Sequence, residues 1–196
     1  MTELDPDVSL FVSSLAGGGA HKMVVQIAKG LDDLGYTVDI VAVTKEGPFV
    51  DSIPEDVGIV DLNANRALTS VPKLTQYLAK NNPESLLATP VSVTIPAIWA
   101  NILSRSDTKL VIRAPTVISK NDFYARPKTL NDQILSRLVD YYYPNVDHMV
   151  AISNTVKEDL INNIGLNRDM VTTIYNPVID DGIIARSKEP CEHPFF

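Results

Sequence analysis

The chain has 196 residues, 45% of them hydrophobic and 21% charged, with a formal net charge of −7. That balance excludes a disordered tail, a collagen-like chain and a disulfide scaffold, and at this length folding can bury about 70% of the unfolded chain's surface. The single Cys191 forms no intrachain disulfide, and three scattered histidines give no structural metal site, so no metal is expected. The start, Met1 to Asp7, is acidic and lacks the basic and apolar regions of a secretory signal. No run approaches the ~20 apolar residues of a membrane span, and a cytoplasmic protein is expected.

The net charge argues against nucleic-acid binding, yet it is unevenly spread. Residues 1–65 carry 3 Lys/Arg against 11 Asp/Glu, residues 66–137 carry 10 against 4, and residues 138–196 carry 4 against 9. The middle stretch is therefore a candidate anion-facing surface, for a phosphate, a pyrophosphate or an anionic lipid headgroup. Solvated surface charge is the competing reading.

In chain order, Val8 to Ser14 reads as a buried strand, followed at once by Gly17, Gly18 and Gly19. Ala20, Val24, Ile27, Leu31 and Leu34 then recur as one helix face, stopped by Gly35. Strands are expected over Thr37 to Thr44 and Val57 to Leu62, and a helix over Val71 to Lys80 with Pro72 in its first turn. Ser85 to Thr89 is a fourth strand, Val93 to Ser104 a helix, and Lys109 to Ala114 a fifth strand. Pro115 to Thr129 has no clean period and reads as a long loop. Leu130 to Tyr143 is helical, with Ile134, Leu138 and Tyr142 on one face. His148 to Ile152 is a sixth strand, Ser153 or Asn154 caps a helix ending at Gly165, and Met170 to Tyr175 is a seventh strand.

Strands alternating with helices imply right-handed crossovers and a Rossmann-like, three-layer α/β/α architecture. Its seven-stranded sheet should be mostly parallel, with helices on both faces. Ligands on such sheets sit beyond the carboxyl ends of the strands. There, Gly17, Gly18 and Gly19 open a helix N-terminus suited to an anion, with Lys22 in reach. A tight turn and a solvated lysine are the alternatives. Neither G-x-G-x-x-G nor a phosphate-loop pattern is present, which disfavours a nicotinamide oxidoreductase or a nucleoside triphosphatase. Arg113 ends the fifth strand, where a guanidinium suits phosphate or carboxylate; an ion pair with a neighbouring acid would explain it equally. Lys120, Phe123, Tyr124, Arg126 and Lys128 mix charge and aromatic surface, as a sugar, a phospholipid-headgroup or a membrane-interface site would; a mobile surface loop with scattered charges is the competing reading. No nucleophile, acid or base stands out, so no catalytic residue is assigned.

The chain resembles the N-terminal half of a GT-B glycosyltransferase of family 4. Ser14 through Gly17-Gly18-Gly19 to Lys22 is similar to the family's Gly-Gly-Ala-Glu-Arg, with His21-Lys22 in place of Glu-Arg. Leu34-Gly35-Tyr36-Thr37-Val38 is similar to Leu-x-x-x-Gly-His-x-Val. Val146 to Leu160, with Val150-Ala151-Ile152-Ser153, resembles Ala-Asp-x-Ile-Val-Ala-Val-Ser-x-x-Val-x-x-Asp-Leu, and Asn176-Pro177-Val178 follows at the family's distance. Glu192-His193-Pro194-Phe195-Phe196 resembles the segment that introduces the second domain. Arg113-Ala114-Pro115-Thr116 stands where the family often carries a histidine.

The resemblance implies an acceptor-side domain over residues 1–186 and, from 187–196, a linker to a donor-binding C-terminal domain. It implies transfer of a sugar with retention from a nucleotide-sugar, UDP- or GDP-linked, to a glycan or lipid-linked acceptor. This half by itself binds no cofactor in that scheme and is catalytically silent. The glycine loop and Lys22 would face donor phosphates or acceptor, and Arg113, Thr116, Ser153 and Asn176 the acceptor along the cleft. The exposed cleft is a candidate for homo-oligomer formation, and the basic surface for peripheral contact with the inner membrane face. A non-enzymatic small-molecule-binding or regulatory α/β domain is the alternative.

Overall fold

A computed structural model of the chain describes residues 5–16, 18–177 and 189. Strands and helices run in the order β1 (Val8–Val12), α1 (Gly19–Asp33), β2 (Val38–Ala42), β3 (Gly58–Asp61), α2 (Val71–Asn81), β4 (Ser85–Ala88) and α3 (Val91–Ser104). They continue through β5 (Lys109–Ala114), α4 (Asp122–Ala125), α5 (Leu130–Tyr142), β6 (His148–Ala151), α6 (Asn154–Asn162) and β7 (Val171–Thr173). Every expected strand is present. The sheet is parallel throughout, in the order β3-β2-β1-β4-β5-β6-β7.

The strand sequences are continuous apolar runs because both faces of a parallel sheet are to be buried. Register puts Val41, Phe11, Ala88, Ile112 and Met149 in one row across the sheet. All five are buried in the larger core cluster. Leu10 and Ile40 point to the opposite face and pack with Val24, Val25 and Ala28 of α1. Each fully buried aliphatic or aromatic side chain contributes roughly 1.5–3 kcal/mol.

Crossover handedness then distributes the helices unequally. A right-handed connection places its helix on a face set by the direction in which the sheet is being built. From β1 to β2 to β3 the chain travels one way; from β3 back to β4 and on to β7 it travels the other. Helices α2, α3, α5 and α6 contribute side chains to the larger core cluster. Among the described residues α1 is the helix that packs on the other face, and the β2–β3 connection holds a single 3₁₀ turn, Val50–Ser52. Helices thus lie on both faces, as expected. Among the described residues no helix covers the β4–β7 half of the α1 face.

Two helix faces differ from expectation. Ile134 is exposed, and α5 meets the core through Leu135, Leu138, Val139 and Tyr142. That stripe follows i, i+3, i+4, i+7 and shares Leu138 and Tyr142 with the expected one, so a small rotation exchanges Ile134 for Leu135 and Val139. Leu34 lies beyond the last turn of α1 as its C-cap and is 75% exposed. Gly35, with φ of 88°, follows as expected. The 115–129 segment holds a 3₁₀ turn, Ile118–Lys120, and α4 rather than unbroken loop. Buried Asp159 of α6 holds it, accepting from the Ser119 N–H at 3.1 Å and from the Ser119 hydroxyl. Gly17, the boundary at residue 186 and the 192–196 segment lie outside the described residues.

Candidate functional site at the carboxyl edge

β1 and β4 are neighbours in the sheet although the chain visits β2 and β3 between them, which makes the carboxyl edge there the topological switch point where ligands of such sheets bind. Gly18 caps α1 there with φ of 91° and ψ of 165°, a conformation essentially reserved for glycine. Gly19 is the first helical residue, and the Lys22 N–H donates to the Gly18 carbonyl at 3.2 Å. The loop ahead of Gly18 is fixed from below: Leu15 is fully buried, and its N–H donates to the Glu46 carbonyl at 2.9 Å. Gly47, with φ of 125°, passes so close that a Cβ there would overlap the Leu15 backbone.

Arg113 points from β5 to the α1 face of the sheet and is only 4% exposed. Its Nη2 donates to Asn176 Oδ1 at 2.6 Å, and Nη1 to Thr89 Oγ1 at 3.4 Å. Burial lowers the guanidinium pKa from its ordinary value. Among the described residues no carboxylate pairs with it. A desolvated guanidinium with neutral partners keeps its affinity for an anion. It lines a groove of about 280 Å³ on the α1 face of the sheet, together with Leu10, Leu87, Val111, Val150, Tyr175 and Asn176.

The structure thus joins Arg113 to Asn176 and adds Thr89, which the sequence places at the end of the fourth strand but does not single out. The other two expected residues do local work. Ser153 caps α6, its Oγ accepting from the Val156 N–H at 3.2 Å. Thr116 is exposed, and its Oγ1 accepts from Asn121 Nδ2 at 3.2 Å. In the 115–129 segment, Phe123 and Tyr124 pack against the core rather than standing free. Tyr124 donates to Asp140 at 2.6 Å, and burial together with that carboxylate pushes its hydroxyl up to about 12. Among the described residues no group of three His, Cys, Asp or Glu side chains could hold a metal ion, and no helix is long and apolar enough to cross a membrane.

No curated protein sequence matches the chain. Solved structures resemble it in fold. HepE from Anabaena, in complex with UDP and glucose, is 16% identical with a TM-score of 0.63, over 93% of this chain and 49% of HepE. The lipopolysaccharide outer core galactosyltransferase WaaB is 14% identical with a TM-score of 0.66, over 87% of this chain and 46% of WaaB. A sucrose-phosphate synthase structure from Thermosynechococcus elongatus is 12% identical with a TM-score of 0.61, over 92% of this chain and 94% of that one. The chain therefore spans about half the length of HepE and WaaB. These likenesses identify the sheet and its helices as the N-terminal half of a GT-B fold. The family model for Glycosyltransferase Family 4 matches residues 17–181, most of the length, and the chain belongs to that family.

Proposed function

We propose that this chain is the acceptor-side half of a glycosyltransferase that moves a sugar, with retention, from a UDP- or GDP-sugar to a glycan or lipid-linked acceptor. The donor is held by a second domain, and this half by itself turns nothing over. The observation that carries the reading is a glycine-capped helix N-terminus at the carboxyl edge, together with an Arg113 that is buried and, among the described residues, bonded only to uncharged side chains. Both features favour negative charge, which nucleotide-sugar chemistry supplies as a pyrophosphate. Membership of the family and the UDP and UDP-glucose held by HepE support it. In this reading Gly17, Gly18, Gly19 and Lys22 face donor phosphates or acceptor, and Arg113 with Asn176 lines the acceptor side. Thr116 and Ser153 contribute through the loop and helix they position. Such an enzyme works at the cytoplasmic side, where nucleotide-sugars are made.

The test is transfer of radiolabelled sugar from UDP- and GDP-donors by the protein extended through its second domain, beside the 196-residue chain. Transfer by the extended protein alone is the expected result. Turnover by the short chain would refute the division of labour, and no turnover of any donor by the extended protein would refute the assignment.

A further inference from the structure

A second pocket opens on the same carboxyl edge, beyond β3, with a volume of about 580 Å³. Its walls are Asn63, Ala64, Asn65, Arg66, Thr69 and Lys73. Two cations and three uncharged hydrogen-bonding side chains line it, and no carboxylate does. Among the described residues neither Arg66 nor Lys73 forms an ion pair. Other cations of the basic 66–137 stretch are accounted for differently: Lys109 pairs with Asp147 at 3.3 Å, Lys128 approaches Asp122 at 4.0 Å, and Arg113 is buried with Asn176.

The walls are held in place before any ligand arrives. Asn63 adopts φ of 42°, and its N–H donates to Asp61 Oδ1 at 2.8 Å. The same oxygen accepts from the Lys45 N–H at 3.2 Å, so Asp61 is turned to the backbone. Lys73 Nζ donates to the Asn63 carbonyl at 3.1 Å, which uses one of its three donors and leaves two for a ligand. Thr69 Oγ1 accepts from the Arg66 N–H at 3.2 Å and donates to the Arg66 carbonyl at 2.8 Å, clamping the turn that presents the guanidinium. Lys73 also lies in the first turn of α2, which has no acidic residue. A cation there opposes the helix dipole, and a bound anion relieves that repulsion.

We propose that this pocket binds an anionic group, a phosphate or pyrophosphate, on the acceptor. This deepens the function proposed above by naming the acceptor's chemistry, and it rests on that reading for calling the ligand an acceptor. The volume suits a phosphorylated sugar unit. It also accounts for the sign of the stretch that begins at Arg66, where two cations meet without an acid.

The test titrates the 196-residue chain with glucose 1-phosphate, inorganic pyrophosphate and glucose, following backbone amide shifts. Saturable shifts confined to residues 63–73 with the two anions, and none with glucose, are expected. Arg66→Gln and Lys73→Gln, each removing a charge-assisted hydrogen bond, should each weaken binding at least about tenfold, while Lys80→Gln on the same helix leaves it unchanged. Both pocket side chains are exposed, and unchanged thermal unfolding of the variants verifies the fold. Cosedimentation with phosphatidylcholine vesicles, with and without phosphatidylglycerol, separates the sources. Sedimentation lost in both pocket variants identifies a lipid-borne phosphate; a chain that binds glucose 1-phosphate but stays in solution takes a soluble one. No saturable binding of any anion, or binding indifferent to both variants, overturns the pocket. Because none of these readouts needs turnover, a chain that binds phosphate here while its extended form transfers no sugar would refute the function and leave the pocket standing.

Discussion

Arg113 and Asn176 offer a pair of substitutions with opposite expectations. Asn176→Ala removes the 2.6 Å bond and leaves a buried guanidinium with only the 3.4 Å contact to Thr89. A hydrogen bond to a charged group contributes about 1.5–3 kcal/mol, and stranding a buried charge sits at the upper end. For a domain of this size that corresponds to a Tm lower by about 3–12 °C. Arg113→Met removes the charge itself and sets an apolar chain of similar length beside Val111 and Val150. Its expected change is within about 1 kcal/mol of wild type, and an increase in stability is consistent with relief of desolvation. Differential scanning calorimetry of both variants decides. If Arg113→Met loses more stability than Asn176→Ala, Arg113 is a structural residue well paid by its neutral partners, and its assignment to an anion fails.

Tyr143 is fully buried and its hydroxyl is pushed up to about 12 by desolvation, so the folded state holds its proton more tightly than the unfolded chain. That stabilisation is complete below pH 10 and falls by roughly 1 kcal/mol per pH unit as pH rises from 10 to 12; urea titrations in that window should show a shallower fall in Tyr143→Phe. Burial raises Tyr77 in the same direction, so a remaining slope in the variant belongs to it. Gly47→Ala combines left-handed strain with overlap on the Leu15 backbone and should cost about 2–6 kcal/mol; Gly18→Ala, with open space around its Cβ, should cost about 1–3 kcal/mol by chemical denaturation. Asp159→Ala strands the Ser119 N–H and the Asn163 amide, and should cost about 2–4 kcal/mol with faster amide exchange over residues 118–125. Unchanged exchange there would show that the core contacts of Phe123 and Tyr124, not Asp159, hold the segment.

The elements were legible because their signals are local. Apolar runs of four to six residues such as Lys109–Ala114 and 3.6-residue stripes such as that of α1 state which side of each segment avoids water, and Gly35 marks an end through its backbone freedom and Ser153 through its hydroxyl cap. The N-terminal glycine motif and the Val146 to Leu160 segment were enough to point to the family. The choice between Ile134 and Leu135 on α5 was not local, since both stripes satisfy the period and only docking on the sheet selects one.

What the tertiary structure alone decided is who meets whom across the crossovers. Arg113 and Asn176 are 63 positions apart, and they meet because strand order puts β7 two strands from β5 on one face. Arg66 and Lys73 line one pocket whose walls, among the described residues, carry no carboxylate, while Asp61 Oδ1, two residues before Asn63, accepts from backbone N–H groups. That α2, α3, α5 and α6 share one face and α1 lies on the other follows from the handedness of every crossover together. Periodicity records each residue's preference for water or core, whereas these juxtapositions depend on strand order and register, which are properties of the whole sheet.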